Sequence, residues 1–191
     1  MAAVTKATGF DPGEAAWNLL AAEVTRRPLR DFKPHNLANT VWAYASAGHA
    51  SPSLFDAVAG EVTRRPLRNF DPQALANTVW AYASAGHASP SLFDAVAAEV
   101  TRRPLRDFKP QELANTVWAY ASAGHASPSL FDAVAVEVTR RPLRDFKPQD
   151  LTNTAWAHAV ADAPSAALFG HSDFADRCAA LAGTLLIDNL S

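Results

Sequence analysis

The chain has 191 residues, of which 49% are hydrophobic and 19% charged, so it can form a core and does not have a disordered composition. Its formal net charge of −2 argues against a nucleic-acid-binding protein that depends on an overall basic surface. The single cysteine, Cys178, excludes an intrachain disulfide framework and a cysteine-rich zinc site. No apolar run approaches the roughly 20 residues that cross a bilayer, so we expect no membrane partner.

A repeat of 38 residues dominates the sequence and is the first guide to its fold. One leucine recurs at this interval as Leu37, Leu75, Leu113 and Leu151. Residues 1–10 contain no secretory signal and no clear transit peptide. We divide the chain into an N-terminal half repeat or cap (1–31), repeat 1 (32–69), repeat 2 (70–107), repeat 3 (108–145) and a divergent repeat 4 with a C-terminal cap (146–191).

Each repeat is predicted to form two helices, and residues 11–31 match the second helix alone. In repeat 3 the first helix is predicted to begin at Pro110 and to end before Gly124, because proline suits the first helical position and glycine suits the left-handed residue after the end. Ser127 is predicted to cap the second helix, which ends before Pro142. Because neither helix can bury its apolar face alone, the sequence predicts an all-α fold, a right-handed α-solenoid of helical hairpins.

The first helix of each repeat carries an asparagine on its small, polar side. Asparagine is unfavourable inside a helix because its side chain competes with the backbone for hydrogen bonds, so its repetition suggests a role. One interpretation is a contact to a ligand in a groove lined by the first helices, since an amide both donates and accepts. The other is a ladder of hydrogen bonds between neighbouring repeats. The asparagines are Asn39, Asn77, Asn115 and Asn153.

A second position on these helices differs in every repeat, although the repeats are otherwise nearly identical. Such variation is typical of a specificity position in a modular code. It is also typical of an exposed first-turn position that varies freely, where an acid favours the helix N-terminus. The residues are Asn36, Ala74, Glu112 and Asp150.

Twelve of the seventeen basic residues fall at one point of the repeat, at the end of the second helix and in the link that follows. Stacked repeats would align them in a basic stripe that suits phosphate groups. Helix C-termini also favour arginine, and nearby acids can pair with it, so the pattern fits a purely structural role equally well. The arginines are Arg26, Arg27, Arg30, Arg64, Arg65, Arg68, Arg102, Arg103, Arg106, Arg140, Arg141 and Arg144.

The sequence contains no residue pattern for catalysis, for a cofactor or for a metal site, so we expect a protein that is not an enzyme. His49, His87 and His125 recur too far apart along the predicted stack to share a metal, and we interpret them as turn residues. The repeated tryptophan, Trp80 in repeat 2, is predicted to be a core residue because it lies on the apolar arc of the first helix.

The motif FxPQxLANTVWAYAxxG, which begins at Phe70 and again at Phe108, resembles the octotricopeptide repeats of algal organelle RNA factors. It is also similar to the leucine-rich helical repeats of FAST-kinase-like and RAP-domain RNA factors. The resemblance covers about four-fifths of the chain. It implies an α-solenoid that binds single-stranded RNA, roughly one nucleotide per repeat, in the chloroplast or the mitochondrial matrix. Members of these families process, stabilise or help translate organelle transcripts.

Two function hypotheses follow from the residues and the resemblance. In the first, an organelle transcript or rRNA lies in the groove, with its bases on the asparagines and the variable position and its phosphates on the arginines. The alternative is a protein–protein interaction scaffold, which the near-neutral charge and the acids Glu112 and Asp150 favour slightly. RNA affinity that falls steeply with salt distinguishes the first from the second.

Overall fold

A computed structural model describes residues 13–161, 163 and 165–188, with the side chains of 181–188 left out. Residues 1–12 of the predicted N-terminal cap and residues 189–191 of the C-terminal cap lie outside the described residues. The described chain is built from α-helices and contains no strand, which confirms the predicted all-α class. The helices are α1 (Glu14–Arg26), α2 (Pro34–Ala47), α3 (Pro52–Arg64), α4 (Pro72–Ala85), α5 (Pro90–Arg102), α6 (Pro110–Ala123), α7 (Pro128–Arg140), α8 (Pro148–Val160), α9 (Ala166–Phe169) and α10 (Ser172–Asp188).

Proline and glycine set the helix limits as the sequence predicts. A proline is the first residue of every helix from α2 to α8. Gly48, Gly86 and Gly124 follow the first helices with φ angles of 75°, 63° and 63°, a backbone region that glycine enters without strain. Ser51 and Ser127 stand at the caps of α3 and α7, but their hydroxyl groups make no capping hydrogen bond. The backbone geometry of proline, not the serine hydroxyl, therefore starts these second helices.

A 3₁₀ turn precedes each first helix and forms the link between hairpins. It contains a leucine whose side chain packs inward in the first three cases, at Leu29, Leu67 and Leu105. The link thus contributes to the core while its arginine stays exposed. The four turns are Leu29–Asp31, Leu67–Asn69, Leu105–Asp107 and Leu143–Asp145.

The described helices form two compact units, divided within α5 between Glu99 and Val100. In the first unit, α2 packs along α4, and α1 packs on α3. In the second unit, α6 packs along α8, and α9 packs on α7. First helices thus lie beside first helices and second helices beside second helices, which is the stacking of hairpins that the sequence predicts for an α-solenoid.

A side-chain hydrogen bond ties the first helices α2, α4 and α8 to the second helix one hairpin earlier. The Tyr82 hydroxyl donates to the carbonyl oxygen of Phe55 at 2.6 Å, and Tyr44 makes the corresponding bond to Trp17. In repeat 4 histidine replaces this tyrosine, and His158 Nε2 lies 3.2 Å from the carbonyl oxygen of Phe131. The substitution at His158 therefore keeps a polar ring nitrogen within hydrogen-bond distance of the same carbonyl position in the stack.

Candidate nucleic-acid interface

One face of the first helices carries three polar or aromatic side chains per repeat. They are spaced at i, i+4 and i+7, which places them on one side of an α-helix. We call this surface the first-helix face. It consists of His35, Asn39 and Trp42 on α2, Gln73, Asn77 and Trp80 on α4, Gln111, Asn115 and Trp118 on α6, and Gln149, Asn153 and Trp156 on α8.

The asparagines of this face form no ladder. Asn39 is exposed, and Asn77, Asn115 and Asn153 are half-buried. In the part of the chain that the structure describes, none of these four side chains makes a hydrogen bond to another residue. Their amide groups are therefore free to donate to and accept from a ligand.

The tryptophans also belong to the first-helix face, which corrects the prediction that they are core residues. Trp42 is 38% exposed and Trp156 is 44% exposed. The ring centroids of Trp42 and Trp80 lie 6.3 Å apart with an interplanar angle of 37°, and those of Trp118 and Trp156 lie 6.3 Å apart at 30°. Leucine, valine and tyrosine fill the core beside them, so each unit presents a pair of neighbouring indole rings at its surface.

The variable position does not lie on this face, which corrects the expectation that it faces a groove. Ala74, Glu112 and Asp150 are buried, with 3%, 8% and 5% of their surface exposed. Only Asn36, on the first of the four first helices, is exposed. Because the side chain is buried at this position in α4, α6 and α8, a ligand on the first-helix face does not reach it.

Helix capping explains the variation at this position. In α6 the backbone N–H of Lys109 donates to the Glu112 carboxylate at 2.7 Å. In α8 the backbone N–H of Lys147 donates to the Asp150 carboxylate at 3.0 Å. In α4 the arrangement is reversed, because the N-cap residue is Asp71 and its carboxylate accepts from the N–H of Ala74 at 2.7 Å. An acid stands at one of the two positions in each of these helices, since either placement satisfies a free N–H of the first turn.

Two of the predicted phosphate-binding arginines are committed to the fold. Arg65 pairs through Nε with Glu61 at 2.7 Å, and its Nη atoms donate to the carbonyl oxygens of Phe32 at 2.7 Å and Leu29 at 2.6 Å. Arg141 makes the three corresponding bonds in the second unit at 2.7–2.8 Å. We call this arrangement the arginine clamp. It holds the carbonyl groups of the preceding 3₁₀ link against the end of the second helix.

The remaining arginines are more accessible. Arg68, Arg140 and Arg144 are exposed, and they make no ion pair with any described residue. Arg102 is exposed and Arg103 is half-buried, and both have partners. Exposed arginines that form an ion pair with an acid one to four residues away are Arg26, Arg27, Arg30, Arg64 and Arg106. Two of the three free guanidinium groups, those of Arg68 and Arg144, thus lie in the links just before the first helices, and Arg140 ends α7.

A cleft in the second unit brings two of these groups together. It has a volume of about 430 Å³ and is lined by Arg140, Arg144, His171 and Asp173, among others. The Nδ1 atom of His171 is buried without a hydrogen-bond partner. The unpaired Arg140 and Arg144 make the cleft suitable for a phosphate group, and the Asp173 carboxylate opposes this on one side.

Comparison with known families finds two family models that match the chain. The model of the Tbc2 translation factor N-terminal domain matches residues 67–167, which is more than half of the chain. The chain belongs to the Tbc2 N-terminal domain family. The model of a protein of unknown function (DUF1601) matches residues 42–79. The search of curated proteins found no match.

The Tbc2 domain match covers the helices from α4 to α8 and most of the candidate interface. It includes three of the four asparagines and tryptophans of the first-helix face and the three arginines that line the cleft. The resemblance to octotricopeptide and FAST-kinase-like repeats stays a prediction beside this match.

In this Tbc2-family chain, His87 lies in the turn that follows α4 and is not part of the first-helix face. His87 is half-buried in its turn, where Nε2 lies 2.9 Å from Asp56 Oδ1 and the ring packs against Tyr82.

No three His, Cys, Asp or Glu side chains among the described residues are grouped to hold a metal ion. No helix in the described ranges is both long and apolar enough to cross a membrane.

Sequence reasoning missed the residue four positions before the asparagine, which is His35, Gln73, Gln111 or Gln149. All four are exposed on the first-helix face. Their i, i+4, i+7 register with the asparagine and the tryptophan is visible in the sequence. The adjacent position, which differs in every repeat, gives the stronger sequence signal for a specificity position.

Proposed function

We propose that this chain binds single-stranded RNA through the first-helix face and acts in translation. The observation that carries the proposal is the exposed tryptophan beside an unpartnered asparagine amide on the first helices. An indole ring stacks with any base, and such stacking contributes about 1–3 kcal/mol per base. The amide supplies a donor and an acceptor for a base edge, which single-stranded RNA leaves open.

The exposed arginines supply the complementary charge for the phosphates. Arg68, Arg140 and Arg144 have no acidic partner among the described side chains, so their charge is available although the whole chain carries −2. They lie in or beside the links that lead into first helices. The proposal assigns the phosphates to these residues and leaves Arg65 and Arg141 to the arginine clamp.

The family match supports the translation role, because its model describes a translation factor domain. We extend the proposal to an organelle transcript or rRNA as partner, in the chloroplast or the mitochondrial matrix, where the chain affects translation, processing or stability. In this proposal the chain acts by binding and not as an enzyme, and it needs no cofactor.

The second candidate function is a protein–protein scaffold. The exposed rings of Trp42 and Trp156 favour it, because tryptophan also dominates the binding energy of protein interfaces. A protein partner would occupy the same face, so the ligand class has to be tested directly.

The test compares three proteins for binding of a labelled randomised single-stranded RNA by fluorescence anisotropy. The double variant W118A/W156A removes one ring pair, and V136A trims another exposed apolar side chain, on α7. We expect the double variant to bind at least about tenfold more weakly and V136A to bind like the wild type. Equal RNA affinity of all three proteins contradicts the proposal. Tight peptide binding without RNA binding supports the scaffold.

A further inference from the structure

We infer that the residue one turn before each asparagine, and not the variable residue next to it, sets the base preference of its repeat. The residues are His35, Gln73, Gln111 and Gln149. The inference rests on the proposed function and adds to it which side chains distinguish one base from another. It also predicts which repeats share a preference.

The residues at this position lie beside the asparagines and are accessible. Side chains at i and i+4 are neighbours on a helix, with Cβ atoms about 5–6 Å apart, so Gln73 lies beside Asn77 and Gln111 beside Asn115. All four residues at this position are exposed, and their side chains make no hydrogen bond to other described residues. The tryptophan follows three residues after the asparagine on the same face. A base that stacks on the ring therefore has two polar side chains within reach of its edge.

Glutamine and histidine at this position differ in the hydrogen bonds that they can make to a base edge. A glutamine amide has a donor and an acceptor next to each other and can bind a base edge through two bonds. A neutral imidazole has one donor and one acceptor on opposite sides of its ring, so His35 offers one bond to the same edge. Repeats 2, 3 and 4 carry the same Gln–Asn pair, whereas repeat 1 carries His–Asn. Repeats 2–4 therefore share one base preference, and repeat 1 has another.

The neighbouring position provides a matched control. Residues 74, 112 and 150 are buried in the capped first turns of their helices, and Asn36 stands at the same point of α2, after the N-cap residue Lys33. The variant N36E adds to α2 the capping acid that α6 has. It therefore affects helix stability at a position directly adjacent to His35 without changing the first-helix face.

The experiment selects RNA sequences from a randomised pool with the full chain as wild type, H35Q, Q111H and N36E. We expect H35Q to change the selected base at one position, by about fivefold or more, towards the base that the other repeats select. Q111H is expected to change a different position in the opposite direction, and N36E to leave all positions unchanged. Circular dichroism confirms that each exposed-site variant is folded.

The results distinguish a failure of this inference from a failure of the proposed function. If the wild type selects RNA and both H35Q and Q111H select the same sequence, the inference is wrong and the proposed function stands. A change of preference in N36E also overturns the inference, since it returns specificity to the variable position. If the wild type binds no RNA, the proposed function fails and the inference fails with it.

Discussion

Replacing Arg65 by methionine tests the arginine clamp, because it removes the guanidinium group and keeps an unbranched side chain. The variant loses the Glu61 ion pair and both bonds to the carbonyl groups of Leu29 and Phe32. The Arg65 side chain is only 16% exposed, so water replaces these bonds poorly. Removing one partner of a buried ion pair costs about 3–5 kcal/mol. Glu61 keeps its 2.8 Å contact to Arg64, so we expect the lower end, about 3 kcal/mol.

The pKa of Glu61 agrees with this account. Burial of the carboxyl raises its pKa, but the hydrogen bonds and charges of Arg65 and Arg64 outweigh burial and lower the pKa below the ordinary 4.5. The ionised carboxylate is therefore favoured in the folded chain.

The assay is urea denaturation of the wild type, R65M and R68M, followed by circular dichroism. Arg68 is three residues away, exposed and without an acidic partner, so R68M is expected to change the free energy of unfolding by no more than about 0.5 kcal/mol. RNA affinity is expected to fall in R68M. If R65M is as stable as R68M, the clamp does not hold the link and the division of the arginines into two classes is wrong.

Two other predictions concern the ties between helices and the helix starts. Burial, followed by the charge of Asp56, raises the pKa of Tyr82 above its ordinary 10.0. The stability that the protonated Tyr82 side chain contributes is therefore complete below pH 10 and is lost as the pH rises further. Thermal melts above pH 10 should show a smaller additional loss of stability for Y82F than for the wild type. The variant E112A should lose about 1 kcal/mol because the N–H of Lys109 loses its acceptor, and K109D/E112A should recover most of it by restoring the α4 type of cap. Urea denaturation measures the stability of E112A and of K109D/E112A. A double variant no more stable than E112A contradicts the capping explanation.

The helices could be predicted from the sequence because their limits depend on local chemistry. Pro110 and Gly124 mark the ends of α6 through their own backbone preferences, and no knowledge of the neighbours is needed. The 38-residue period then indicates that identical hairpins stack, which gives the architecture within each unit.

The candidate site could be predicted only in part, because it depends on which surfaces the stacking covers. A single helical wheel placed Trp80 with the core and Glu112 at the surface, but in the folded chain the indole rings are accessible and Glu112 is buried. The partners of Arg65 lie in the link 33 and 36 residues earlier, a distance over which the sequence alone gives no contact.

Salt dependence of RNA affinity tests the central claim most directly. The measurement is fluorescence anisotropy of the wild-type chain with a labelled randomised single-stranded RNA at about 50 and about 200 mM salt. Three phosphate contacts, through Arg68, Arg140 and Arg144, predict a slope of about −2 in log affinity against log salt, so affinity should fall about 20-fold over this range. No binding at about 50 mM salt, or binding that does not depend on salt, contradicts the account.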